Sequence, residues 1–418
     1  MLLTDHDRAL ASGELGPSPA LAMRIILAIA EANDAPRLID VTRAHIDSCL
    51  YHGDAGLDFA EKLQSDGGKV VVPTTLNVST LDLLHPHLFR GDERLKERGR
   101  RLMAAYVGMG GVPTWTCAPY QSSSRPEFGE HVAWAESNAI VFVNSVLGAR
   151  TDRYGDFIDI CAALTGRVPN AGLHRDEHRR ARVVFQLSGI PDEVLRSEIL
   201  FPVVGHLVGK RTGTMVPAIV GLPTDASEDA LKALGAAAAS SGGVAMFHAV
   251  GRTPEAANLA EATGGTPPDR VIDIDMAMLA EARSELSTRV DGPLAAVSVG
   301  TPHFSVSEFR ILASLISGRT VAPEVEFYVN TSREVLAEAA TLGLVALLRA
   351  AGIEIVTDTC TYVTPIMRER SGVVMTNSGK MAYYAPGNLG VDIAFGSLVE
   401  CVESGVSGKI SIDQKAWK

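Results

Sequence analysis

Apolar positions along the chain alternate between two periods. In "PALAMRIILAIAEAN" they recur at helical spacing, which predicts an amphipathic helix. "RLIDVTRAHI" reads as a strand leading into a loop, "GLDFAEKLQSDG" as a helix closed by glycine, and "KVVVPTTLN" as a buried strand with a polar end. "DERLKERGRRLMAAYVGMGG" predicts another helix with a glycine stop, and "VPTWTCAPY" a short strand running into a loop. The small-residue stretch "AESNAIVFVNSVLGARTDR" predicts a buried helix that carries polar positions.

The last third repeats the rhythm. "PLAAVSVGTPHFS" predicts a strand into a loop, followed by the helix "VSEFRILASLISG". Three apolar strands then end in the polar tails "GTPH", "NTS" and "DTC". A β-loop-α alternation implies an α/β fold of layered, largely parallel sheets. In such sheets ligands collect outside the carboxyl ends of the strands, which is where these tails fall. The expected divisions are 1–215, 216–290 and 291–418.

Composition narrows the class. At 46% hydrophobic and 21% charged residues, the 418-residue chain is an ordinary globular protein. No apolar run is long enough for a membrane span, and the N-terminus, acidic early and lacking an apolar middle, does not read as a signal peptide. A cytoplasmic protein with no membrane partner is expected. The net charge of -11 argues against nucleic acid as a partner. The basic clusters "RLKERGRR" and "RDEHRRARVV" read as solvated helix faces.

The five cysteines, Cys49, Cys117, Cys161, Cys360 and Cys401, include no CxxC pair, which excludes a zinc ribbon or a thioredoxin-type site of that pattern. Cys161 lies on an apolar helical face and reads as core, and Cys401, in "LVECVESG" near the end, reads as structural. Cys117 and Cys360 share a context, "TWTC" and "TDTC", each following an apolar run. A lone cysteine there is most simply a small buried hydrophobe. Two in one context point instead to thiolates gathered from strand-end loops around a metal or cluster. "TNSGK" follows a buried strand. It reads as a turn capping the next helix, and also as a set of hydroxyl, amide and ammonium groups suited to an anionic substrate, with Lys380 as its cation. Glu136, Asn138, Asn144, Ser145 and Arg150 burden an otherwise apolar helix with polar groups, a costly arrangement unless they bind one another or a ligand.

The segments "GDAGLDF", "PTTLN", "TWTCAPY", "FGEHVAWAESNAIVFVNSVLGART", "GLHRDEHR", "GHLVGK", "GTPHFS", "DTC" and "TNSGKMAYYAPG" together resemble the large subunit of the aconitase X family, in family order and over most of the chain. The resemblance implies an aconitase-like fold of three α/β domains around an iron–sulfur cluster, and a dehydratase. Two reactions are known in that family: dehydration of cis-3-hydroxy-L-proline to Δ1-pyrroline-2-carboxylate, and dehydration of (R)-5-phosphomevalonate. The chain starts where the large part of the family starts, so the resemblance implies that the small swivelling domain is a separate subunit. Archaeal phosphomevalonate members carry a cysteine in a "GCPH" segment where this chain has Thr301 in "GTPH". Cys49, in "HIDSCLYHG", matches the bacterial hydroxyproline type.

Cys49, Cys117 and Cys360 are therefore the expected cluster ligands, with [2Fe-2S] the favoured cluster and [3Fe-4S] or [4Fe-4S] the alternatives. By the same resemblance Ser378 is the expected base, with Lys380 beside it. Asp54, Thr75, Glu136, Ser137, Asn138, Ser145, Arg150 and His303 are the expected substrate-binding set. Hydroxyproline is the leading substrate and phosphomevalonate the rival. A cluster-dependent RNA-binding regulator is the non-enzymatic alternative, disfavoured by the acidic balance.

Overall fold

The computed structural model describes residues 1–122, 124–368, 371–413 and 417. The chain forms two compact units. The first comprises residues 1–81 and 92–180, the second residues 82–91 and 181–418. The expected division at 215 falls inside the second unit, between the helix Leu200–Thr212 and the next strand.

Among the described residues, the first unit holds five short strands: β1 (Leu38–Asp40), β2 (Ala44–Ile46), β3 (Thr74–Leu76), β4 (Ala133–Trp134) and β5 (Arg167–Pro169). β3, β2 and β4 form a parallel sheet in that order, while β1 pairs antiparallel with β5. "RLIDVTRAHI" thus supplies two strands to two sheets. "KVVVPTTLN" contributes only its polar end as strand. Val71 is 63% exposed, because the N–H groups of Val70 and Val71 go to Met109 O and Ala163 O instead of a ladder. "VPTWTCAPY" forms no strand; Val112 makes a single parallel bridge to Thr75. The helix Pro17–Ala32 buries Ala22, Met23, Ile26 and Ala30, the stripe that its period predicts. The helix Ser137–Phe142 is buried and passes into a π-turn at Val143–Leu147.

The second unit holds two parallel sheets. β6 (Val183–Leu187), β7 (Pro217–Val220), β8 (His248–Ala249) and β9 (Arg270–Ile274) stand in the order β8-β7-β6-β9. β10 (Leu294–Phe304), β11 (Glu326–Thr331), β12 (Ile353–Val356), β13 (Val373–Thr376) and β14 (Asp392–Phe395) stand in the order β12-β11-β10-β13-β14. β10, at the centre, is buried along its whole length, as a strand covered on both faces must be. It continues past the expected loop at Gly300, with a register shift against β11 between Val299 and Phe304. Its core partners include Phe309, Leu312, Phe327, Val329, Ile355 and Met375. Among the described residues, no single helix is long and apolar enough to cross a membrane.

Candidate active site

In the second unit the polar tails of β10, β12 and β13 meet at one sheet edge. Gly300 has φ 87°, and a Cβ there would lie 2.2 Å from Asn330 O, so only glycine fits this turn of β10. The Thr301–Pro302 peptide that follows is cis. His303 is fully buried, with Nε2 3.2 Å from Thr359 O. Ser305 then caps the helix Val306–Ile316 in a reciprocal box with Glu308.

After β13, Ser378 caps the helix Gly379–Leu389. Its Oγ accepts the Met381 N–H at 3.0 Å and donates to the carbonyl of Thr301. The turn predicted by "TNSGK" is therefore formed, and its serine is bonded on both sides. Lys380 is 4% exposed. A small cavity of about 30 Å³ opens among Thr301, Ser378, Lys380, Lys232 and Glu308.

Sequence reasoning missed Lys232. Its buried ammonium donates to Asp229 Oδ1 at 2.9 Å and His303 O at 3.3 Å, and forms an ion pair with Glu308. Burial alone would lower its pKa, but Glu308 and Asp229 hold it up to about 12. Burial raises Glu308 to about 7 despite Lys232, with Asp229 adding to the rise. A lysine more than seventy positions upstream carried no signal.

The loop after β12 presents Cys360. Asp82 accepts Thr357 N at 2.8 Å and Thr357 Oγ1 at 2.9 Å, and bonds His85 Nδ1 at 2.9 Å. Burial works to raise the Asp82 pKa, but these partners bring it below the usual carboxylate value. Asp358 takes φ 60° and binds Arg333 through two contacts of 2.6 Å. Cys360 is 1% exposed, and its carbonyl accepts the N–H groups of Val363 and Thr364. The donor atoms of Cys360 and His303 lie within 4.8 Å of one another. A thiolate and an imidazole are apt donors for iron.

In the first unit, Cys117 stands in a loop of the same form. Thr114 Oγ1 accepts Leu76 N at 3.1 Å and donates to Leu76 O at 2.8 Å. Trp115 takes φ 44°, and Cys117 is buried. Asn138 Nδ2 donates to Cys117 O at 2.8 Å, and Tyr120 Oη donates to Asn138 Oδ1 at 3.1 Å. Glu136 caps the helix Ser137–Phe142 through Ala139 N at 2.6 Å and accepts from Ser137 Oγ at 3.3 Å. Thr75 Oγ1 lies 2.8 Å from Nδ1 of His45, whose pKa burial lowers to about 4. Thr75, Glu136, Ser137, Asn138 and Cys117 thus all lie in the first unit, where Asn138 bonds Cys117, Glu136 bonds Ser137, and Thr75 bonds His45. Ser145 is buried in the π-turn.

Other expected residues are engaged elsewhere. Asp54 lies 44% exposed, bonded by Tyr51 Oη at 2.7 Å and paired with Arg98. Arg150 forms an ion pair with Asp176 and reaches His174 O at 3.4 Å. The Cys49 thiol is fully buried and donates to Ile46 O at 3.4 Å, Asn77 O at 3.3 Å and Val78 O at 3.7 Å. Burial, with Asp47 and Asp159 nearby, pushes its pKa well up. Cys161 is a buried helical residue, as expected, and Cys401 is buried in the helix Leu398–Ser407. Arg179, in the stretch expected to be a solvated face, is instead buried; its guanidinium donates to Asn144 Oδ1 at 3.0 Å and Leu173 O at 2.9 Å. The polar load on the buried helix is met in part by this arginine.

Three family profiles match the chain in succession: the aconitase X first domain over residues 1–177, the second over 181–284 and the third over 294–407. The chain belongs to the aconitase X family. It is 44% identical over 418 residues to a cis-3-hydroxy-L-proline dehydratase of Pseudomonas aeruginosa, covering 99% of this chain and 72% of that protein. It is 37% identical to a phosphomevalonate dehydratase large subunit of Methanothermobacter thermautotrophicus, covering 92% and 93%. Aconitase X from Thermococcus kodakaraensis in its holo-form superposes with a TM-score of 0.87 at 31% identity, over 97% of this chain and 100% of that one. The aconitase-like layering expected from the sequence is the observed fold.

Proposed function

We propose that this aconitase X protein is the catalytic large subunit of a hydro-lyase that converts cis-3-hydroxy-L-proline to Δ1-pyrroline-2-carboxylate. The 44% identity over nearly the whole chain to a dehydratase of that name carries the reading. A separate small subunit is its proposed partner; the naming of the archaeal relative as a large subunit supports this.

The reaction removes the C2 proton and the C3 hydroxide of the substrate as water. Ser378 Oγ passes its resting hydroxyl proton to the departing C3 hydroxide, which leaves as water, and takes the C2 proton in its place. The Met381 N–H and the positive end of the helix Gly379–Leu389 favour its alkoxide. The proton it gains restores the resting hydroxyl, which donates to Thr301 O. Lys380 neutralises charge that develops on the substrate carboxylate as the C2–H bond breaks. The enamine formed tautomerises to the cyclic imine.

Cys360 and His303 of the second unit would be ligands of an iron–sulfur cluster, and the family resemblance adds Cys117. His303 is assigned in place of Cys49 because its donor atom is close to that of Cys360, whereas the Cys49 thiol is bonded to backbone carbonyls. A bound cluster supplies the Lewis acidity that makes hydroxide a workable leaving group.

The test is to purify the chain with its small subunit, without oxygen, and to offer cis-3-hydroxy-L-proline and (R)-5-phosphomevalonate in parallel. Imine product from hydroxyproline alone is expected; turnover of phosphomevalonate alone would retire the substrate assignment. In the same assay Ser378→Ala should retain iron and lose turnover by a factor of about 10² to 10⁴, the usual worth of a general base.

A further inference from the structure

His303 sits where the central sheet loses its regular pairing. β10 pairs with β11 from Ala296 to Val299 and again at Phe304, with a register shift between. Its pairing with β13 runs from Leu294 to Val297. His303 is outside these ladder pairs, and a helix supports its backbone instead. Lys232, on the helix Glu228–Ser241, is 3% exposed, and its ammonium donates to His303 O at 3.3 Å. Its other two acceptors are carboxylates, Asp229 Oδ1 at 2.9 Å and Glu308. An ammonium has three N–H donors, and each of them has an acceptor here.

The hold extends past His303. Asp229, one turn before Lys232, accepts from Ser305 Oγ at 2.7 Å, and Glu308 accepts the Ser305 N–H at 2.8 Å. Lys232 and Asp229 thus fix the turn from β10 into the helix Val306–Ile316 at a carbonyl, at the cap and at the acid of the capping box. The imidazole is fixed from another side. Nε2 lies 3.2 Å from the carbonyl of Thr359, the residue before Cys360. A carbonyl only accepts, so in the neutral ring Nε2 carries the proton and Nδ1 the lone pair. One bond orients the ring, and the other holds the backbone that carries it.

We infer that Lys232 is a positioning residue for His303, holding the backbone of that histidine so that its imidazole stays beside the Cys360 thiol. The inference rests on the assignment of His303 as an iron ligand above. It gives the buried triad of Lys232, Asp229 and Glu308 a role beyond its own charge balance. Partners that hold a ligating histidine in place are worth about tenfold to a hundredfold in metal affinity.

The experiment uses the complete two-subunit enzyme, purified without oxygen. Lys232→Met/Glu308→Gln removes the donor to His303 O at constant formal charge, and glutamine can serve the capping box as glutamate does. Glu308→Gln alone keeps that donor. The readouts are the visible absorption of the bound iron and the rate at which bathophenanthroline disulfonate removes it. The double variant should show a shifted spectrum and lose iron about ten to a hundred times faster than Glu308→Gln, which should match wild type. An iron-free double variant beside iron-loaded Glu308→Gln supports the inference in the same way. Lys232→Met/Asp229→Asn, also at constant formal charge, replaces the first double variant if that one does not fold. A folded double variant with a lowered Tm but the spectrum and iron release of Glu308→Gln would overturn the inference, since a merely structural lysine predicts that result. His303→Ala separates this claim from the one it rests on. Unchanged iron and spectrum in His303→Ala would overturn the ligand assignment and the inference with it. Iron lost from His303→Ala, with a double variant that behaves as Glu308→Gln, would overturn the role of Lys232 alone.

Discussion

The loops that end in Cys117 and Cys360 are built to one plan from different parts. Each reads Thr-x-Thr-Cys, and in each the residue x has a left-handed backbone, φ 44° at Trp115 and φ 60° at Asp358. Such a conformation costs a non-glycine residue about 1–3 kcal/mol and persists only where its surroundings impose it. The surroundings differ. Trp115 is held by burial at 1% exposure, and Thr114 by the backbone of Leu76. Asp358 is held by the Arg333 guanidinium, and Thr357 by the carboxylate of Asp82. The shared turn delivers a buried cysteine in both cases. Packing enforces it in the first unit and charge in the second.

The largest expected effects treat the two loops alike. Cys117→Ser and Cys360→Ser should each abolish bound iron and turnover, read by iron analysis and by visible absorption of the anaerobic enzyme. Iron retained by one variant alone would break the equivalence of the loops. His303→Ala should lower iron content and Cys49→Ser should leave it intact; the opposite pattern would return the third ligand to Cys49.

Intermediate effects separate the two solutions. Trp115→Gly relieves the backbone but removes a large buried ring, and should cost about 3–5 kcal/mol in chemical denaturation. Asp358→Asn keeps a side chain that tolerates positive φ and loses the charge facing Arg333, and should cost about 1–3 kcal/mol. Equal costs at low and high salt for Asp358→Asn would count against the electrostatic account of the second loop.

The smallest effect is a pH dependence. The folded-state pKa of Asp82 lies below its ordinary value, so its contribution to stability is present above about pH 3.9 and fades as the pH falls through the folded pKa. Asp82→Asn should therefore lose stability near neutral pH and show a flatter decline into acid. An unchanged acid limb would mean that Asp82 does not titrate as its contacts require.

Much of this was legible in the sequence, for reasons that differ by residue. The helix at 17–32 and the cap at Ser378 follow from local period and capping chemistry, which act within a few residues. The paired cysteines were visible because their neighbours repeat. The positive φ at Trp115 was not visible, since a tryptophan seldom takes it, and at Asp358 the residue type permits it without marking it. Asp82 bonding Thr357, and Lys232 bonding Glu308, join positions far apart in the chain, and no local pattern encodes such a pairing. Strand ends were misjudged at 69–76 because consecutive valines resemble a buried strand until their N–H partners are known.

The decapeptide 82–91 is embedded in the sequence of the first unit and belongs to the second. The polypeptide therefore passes from one unit to the other three times. The first family profile, residues 1–177, corresponds to a fragment that carries this piece away from its home. A fragment of 181–418 would be left with the N–H and hydroxyl of Thr357 stripped of the Asp82 carboxylate, at the base of the Cys360 loop. Dissection along the profile boundaries should give an incomplete second half, and adding the missing strip as a peptide in trans is the natural way to repair it.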